Sequence, residues 1–290
     1  MITDIIVNGL VAGGMYAILA VGFSLIFGVA NIINMAHTAF YMVASFLILI
    51  GIATFHLPLP ASLAASIFLT AVLGMICFKL FFNRVKEHET AVMIISVALA
   101  MLFQEILLLT YGGHYRSVPA FSRGYIDLFD TRVSHQQIFA IILSALILIG
   151  LWALLSKTKL GNAIRAVAQD RTVANLMGIN VSRISMIVMG ISAALAGIAG
   201  AVVAPIYMVS PLMWMQPLVI ILAAIVLGGL GSIGGSVIGA LILGYTETIV
   251  TFLVPGGGFL RGAVSLAIMV IVLMVRPEGL FGVVFEEERL

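Results

Sequence analysis

Long apolar runs alternate with short polar breaks along the whole chain, and a helix that crosses a bilayer needs about 20 predominantly apolar residues. By that measure the runs fall near residues 5 to 30, 36 to 55, 60 to 82, 91 to 110, 137 to 156, 184 to 208, 213 to 230, 236 to 254 and 260 to 275. The pattern predicts an all-α, polytopic membrane helical bundle with eight or nine transmembrane helices. Composition agrees: 62% of residues are hydrophobic and 9% are charged, where a soluble domain carries roughly 25% charged residues. Mean hydropathy is +1.24. The first run carries Asp4 where a secretory signal would carry Lys or Arg, and no clear cleavage pattern follows, so it reads as a retained span.

The distribution of charge orients the bundle. Lys79, Arg84 and Lys86 lie between the third and fourth runs, and Lys157, Lys159, Arg165, Arg171 and Arg183 between the fifth and sixth. Together they are eight of the 14 basic residues, so both segments are expected on the cytoplasmic side. Tyr111 to Gln136 is then external, with Arg116, Arg123 and Arg132 offset by Asp127 and Asp130. The same count puts the N-terminus outside and Arg276 with the EEERL tail inside.

Apolar helices gain little by leaving lipid for one another, so their association depends on close approach through small residues. Gly9 and Gly13 form one such pair, and Gly231, Gly235 and Gly239 form a row at spacing four, a candidate helix-packing face. The single cysteine, Cys77, lies inside an apolar run and reads as a packing thiol; the chain offers no metal-ligand cluster and no catalytic constellation such as HExxH or GxSxG.

The polar island KTKLGNAIRAVAQDRTVANLMGINVSR, residues 157 to 183, has internal order. Leu160, Ala163, Ile164 and Val167 recur at helical spacing, which predicts a short amphipathic helix with Asn162, Arg165 and Gln169 facing elsewhere. Asp170 is placed to N-cap a second short helix whose apolar face is Val173, Ala174 and Met177, and Gly178 to end it in a left-handed cap. Periodicity leaves two uses open: a docking surface for a cytoplasmic partner, or an interfacial helix lying on anionic lipid.

Thr172 to Gly178, TVANLMG, has the spacing of the EAAxxxG signature that ABC importer permeases present to their ATPases, retaining Ala174 and Gly178. Around it, GNAIRAVAQDRTVANLMGINVSR, FGVANIINMAHTAFYMVASF, GGLGSIGGSVIGALILGYTE and RPEGLFG all resemble the LivH-type permeases of branched-chain amino acid ABC importers, in order over essentially the whole chain. The chain departs from that pattern at Thr172 and Val173, where Glu-Ala is common, and at Thr38 to Tyr41, where relatives often read Gly-Glu. The resemblance implies a single transmembrane permease domain over 1–290 in the bacterial inner membrane, with Arg165, Gln169, Asp170, Ala174 and Gly178 in a coupling helix. It also implies a second homologous permease as heterodimer partner, two ATPase subunits that bind ATP and Mg, and a periplasmic substrate-binding protein docking outside. No cofactor is expected on this chain itself, and no nucleic acid among its partners.

Two interrupted segments are candidates for the transport path. In Gly28 to Thr38, Asn31, Asn34 and His37 break an apolar run; near the cytoplasmic end of the first span, helix capping and anchoring is the simpler account of them. Gly228 to Gly235 is followed by Glu247, an acid deep in a span, which either faces a wet cavity or makes an interhelix hydrogen bond. Neutral polar groups can contact a small zwitterion while apolar walls accept its side chain. The chain has no GxxxxGK[ST] phosphate loop, so an importer built on it would draw on separate ATPases. Permeases of the same pattern could serve urea, short amides or aromatic acids. An ion-coupled secondary transporter is less supported, because the apolar runs hold only Glu105 and Glu247 as acids and no buried Lys or Arg is expected there.

Overall fold

The computed structural model describes residues 1–86, 88–120, 124–128, 131–276 and 279–281. Arg123, Asp130, Pro277 and Glu278 of the terminal motif and the EEERL tail lie outside the described residues.

The chain is a bundle of helices: α1 (Ile2–Ala30), α2 (His37–Ala53), α3 (Leu59–Cys77), α4 (Glu89–Tyr111), α5 (His135–Lys157), α6 (Lys159–Gln169), α7 (Arg171–Leu176), α8 (Val181–Val203), α9 (Met215–Gly228), α10 (Ile233–Leu253) and α11 (Arg261–Val275). A π-helical turn, Phe78–Phe82, and a last turn, Asn83–Val85, prolong α3, and a 3-10 turn, Gly257–Leu260, leads into α11. One antiparallel hairpin, β1 (Tyr125–Leu128) and β2 (Thr131–Ser134), interrupts the helical pattern before α5. Ser134 closes that hairpin and starts α5 with a capping box, its hydroxyl and the Gln137 side chain satisfying the first free amides.

Among the described residues seven helices are long and apolar enough to cross a membrane. The two remaining runs give shorter elements than the nine-crossing reading expects. The second forms α2, of 17 residues, about 26 Å at 1.5 Å per residue. The seventh forms α9, of 14 residues, about 21 Å against a hydrocarbon layer of about 30 Å. Backbone chemistry sets the limits of α9. The sixth run stops as helix at Val203, because Pro205 and Pro211 cannot continue the hydrogen-bond ladder and the chain turns through Ala204 to Trp214 before α9 begins. At the other end Gly229, at φ 98°, terminates α9.

The core is arranged around α1. Ala17, Ile18, Leu19 and Ala20 have no exposed surface, enclosed by α8, α9 and α10. Small residues set that closeness. Gly9 lies under the Tyr245 ring, and a Cβ on Gly244 would come within 2.5 Å of the Gly13 backbone, so α1 and α10 touch along their main chains. Gly235 and Gly239 do the same between α10 and α9, an added Cβ falling on the Gly228 and Ala224 carbonyls respectively. Gly231, expected in that packing row, instead sits in the turn before α10 at φ 84°, with open space where a Cβ would be; its glycine serves the left-handed backbone. Cys77 is a buried free thiol.

The two basic segments meet at one end of the bundle. The Ser182 hydroxyl donates to Asn83 Oδ1 at 3.0 Å, and Arg171 reaches the end of α1. The hairpin is at the opposite end, where the Thr131 hydroxyl donates to Asp4 at 3.4 Å and Gln137 Nε2 to Asn8 at 3.1 Å.

Candidate functional site

At the basic end the sequence builds a helix pair through side-chain caps. The Thr158 hydroxyl accepts from the Gly161 amide at 2.9 Å and starts α6, which buries Gly161, Ile164 and Val167. Arg165, Gln169 and Asp170 face outward, Arg165 donating to Asn162 Oδ1 at 2.7 Å. The Asp170 carboxylate then accepts from the Val173 amide at 2.9 Å and starts α7, which Gly178 ends at φ 85°. These are the breaks the sequence predicts.

The apolar face of α7 departs from expectation. Ala174 alone is buried, while Val173 is 53%, Leu176 81% and Met177 78% exposed. In a helix of six residues only the side carrying Arg171 and Ala174 turns toward the bundle, so the flanking apolar side chains form a projecting knob. Exposed apolar groups clustered in this way mark an interaction surface.

Arg171, which sequence reasoning passed over, fastens that knob to the core. Its Nε and Nη2 donate to the Val29 carbonyl at 3.1 and 2.9 Å. Val29 is in the last turn of α1, where carbonyls have no intrahelical partner and a cation is favoured by the helix dipole. Burial lowers the pKa of the guanidinium from its ordinary value, yet leaves it charged. Only its place directly after the Asp170 cap could have signalled the role.

Just beyond, Asn31 closes α1 in a left-handed conformation, its amide donating to the Phe27 carbonyl at 2.8 Å. Asn34 is buried; its Oδ1 accepts from the Ala36 amide at 3.1 Å and its Nδ2 faces Met189 Sδ at 3.7 Å. His37 is buried with its ring nitrogens 3.0 Å from the Leu19 carbonyl and 3.1 Å from the Ser192 hydroxyl. Asn34 and His37 thus meet α8 beside α1, whereas Asn31 is exposed at the end of α1, and none of the three lines the cavity that holds Glu247.

Glu247 is found in a different place, lining a cavity of about 480 Å³ toward the hairpin end. It is 3% exposed, accepting from the Tyr16 hydroxyl at 2.9 Å and the Ser265 hydroxyl at 3.2 Å. Arg261 enters the same cavity at the start of α11, its Nε donating to the Thr251 hydroxyl at 3.0 Å. Arg261 is half-buried there, where the 3-10 turn before α11 brings it against α10. In sequence it reads as a charge at the rim of the last run. Tyr41, Tyr207 and Gln216 add to the polar lining, as do Asn8, Tyr115, Ser210 and Thr248. Glu105 is separate and exposed, beside Gln104, whose Oε1 accepts from the Trp214 indole at 2.8 Å.

A bundle of membrane-length helices with a capped helical projection at one end and a polar cavity toward the other defines a membrane transport subunit. The chain belongs to the family described as branched-chain amino acid transport system / permease component, whose model matches residues 5–273. It is 29% identical to the high-affinity branched-chain amino acid transport system permease protein BraD of Pseudomonas aeruginosa, over 96% of this chain and 94% of that protein. To the corresponding LivH of Escherichia coli it is 28% identical, over 95% and 94%. The solved structure of PsaBC from Streptococcus pneumoniae in complex with Fab shares the fold, with a TM-score of 0.54 at 14% identity over 96% of this chain and 97% of that one.

Proposed function

We propose that this chain is the membrane permease of an ATP-driven importer for branched-chain or related hydrophobic amino acids in a bacterial inner membrane. The observation that carries the reading is the α7 knob: three apolar side chains exposed in water yet attached through Arg171 to the central helix. Work done by an ATPase can move a membrane bundle only through a stiff element seated in both. A short helix capped at both ends, by Asp170 and Gly178, meets that requirement, and α6 with Arg165 and Gln169 widens the seat.

In this reading residues 1–290 act as one permease domain, with α2 and α9 as the shorter members of a nine-helix set and the basic end facing the cytoplasm. ATP and Mg reside on two separate ATPase subunits, a second related permease completes the membrane assembly, and a periplasmic binding protein docks at the hairpin end. The cavity beside Glu247 lies on the solute path.

Gentle purification of the chain with its associated proteins tests this. Recovery of two phosphate-loop ATPases, and ATP-dependent leucine uptake by the reconstituted assembly, is the expected result. A chain that transports alone would overturn it in favour of a secondary carrier.

A further inference from the structure

We propose that the cavity between α1, α10, the start of α11 and the turn from Val203 to Pro217 is a transit site for a free α-amino acid, with Arg261 receiving the carboxylate and Glu247 the ammonium group. The assignment rests on the permease reading and narrows its substrate to a zwitterion.

Two opposite charges line one cavity without meeting. Among the described residues neither Glu247 nor Arg261 forms an ion pair with any partner. Each is held by neutral hydroxyls instead. Tyr16 and Ser265 each donate to one oxygen of Glu247, and a carboxylate has about four acceptor sites, so about half remain open. The Thr251 hydroxyl accepts from Arg261 Nε and donates to the Glu247 backbone carbonyl at 2.7 Å. One small side chain therefore ties the Arg261 guanidinium to α10 one helical turn beyond Glu247. The two terminal nitrogens of Arg261 make no hydrogen bond among the described residues, which leaves the terminal edge of the guanidinium free for a carboxylate.

A charge at such a depth is costly unless something compensates it. A zwitterion supplies both compensations at once, whereas urea or a simple amide supplies neither. The cavity volume, about 480 Å³, falls within the range of small-molecule sites, and Met15, Val203 and Phe252 give it apolar wall for a branched side chain.

The test measures binding of leucine, leucinamide and 4-methylpentanoate to the full-length chain with its associated subunits in lipid nanodiscs, the periplasmic protein omitted. Wild type is expected to prefer leucine to either analogue by about tenfold or more, as loss of one charge-assisted contact implies. Arg261→Gln should bind leucine and leucinamide alike; Glu247→Gln should bind leucine and 4-methylpentanoate alike. That crossed pattern cannot come from misfolding, since each variant keeps one ligand. Thr251→Val, with both charges intact, should reduce the preference for leucine several-fold. Wild type that treats the three ligands equally, or Arg261→Gln that keeps the wild-type preference, overturns the site. ATP-driven leucine uptake is followed in parallel: normal uptake with either of those results leaves the permease reading standing, and absence of uptake for every amino acid overturns both.

Discussion

Arg171 donates two hydrogen bonds to the backbone carbonyl of Val29, at 3.1 and 2.9 Å, across 142 residues of sequence. The contact joins the first turn of α7 to the last turn of α1, the helix that the rest of the bundle surrounds. In the proposed importer, displacement of the knob would reach α1 through this contact, beside the packing of α6 against α1.

Arg171→Ala should uncouple the assembly. Each hydrogen bond from a charged donor contributes about 1.5–3 kcal/mol, and two that share one carbonyl are too little to unfold the bundle but enough that their loss lets α7 move independently. Uptake should fall about tenfold or more while ATPase subunits still co-purify. Arg171→Lys, with a single compact head group in place of a fork, should recover only part of the rate. Transport assays beside pull-down of the ATPases check this.

Gly178 responds to backbone shape and not to space. A Cβ at this position would meet no atom within 4 Å, but φ is 85°. A β-branched residue in that conformation costs about 1–2 kcal/mol or more, whereas Asn tolerates it. Gly178→Val should abolish ATP-driven uptake with normal membrane insertion, and Gly178→Asn should keep most of it. Ala174→Arg, which forces a charge into the one buried position of α7, should behave like Gly178→Val.

The α9–α10 contact separates steric from conformational glycine. Gly239→Leu drives a side chain onto the Ala224 carbonyl, and overpacking of that kind costs about 1–3 kcal/mol. Gly234→Ala, nearer the start of α10 and facing open space, should be neutral. Thermal unfolding in detergent should show a drop of several degrees for the first and none for the second.

Orientation is tested at Asn175, which is exposed on α7. With Asn175→Cys, an impermeant thiol reagent should label inverted vesicles and leave intact spheroplasts unlabelled, since the native Cys77 is buried and silent. Labelling from the outside would reverse the bundle in the membrane and remove the coupling role from residues 157–183.

The helical architecture and the order of elements could be read from the sequence because lipid forces backbone groups to pair within each helix, so apolar length maps directly onto helix. The capped pair α6 and α7 was equally legible: Asp170 and Gly178 act through local rules that need no tertiary knowledge. Length failed as a guide where Pro205 and Pro211 divide one apolar stretch into a helix end and an irregular turn. The row of glycines was partly legible, since spacing identifies Gly235 and Gly239 but cannot tell that Gly231 lies before the helix begins. The cavity was half visible. Glu247 stands out as an acid in an apolar run, whereas Arg261 and Tyr16 reach it only through the fold, from residues 14 and 231 positions away.

The four residues from Ala17 to Ala20, enclosed on every side, make α1 an axle just beyond the stretch, Met15 and Tyr16, that walls the cavity. A solute that crosses this protein must pass beside that axle. Gly13 and Gly244 bring α1 and α10 into main-chain contact, so under the proposed stroke at Val29 the two rods would turn as one body.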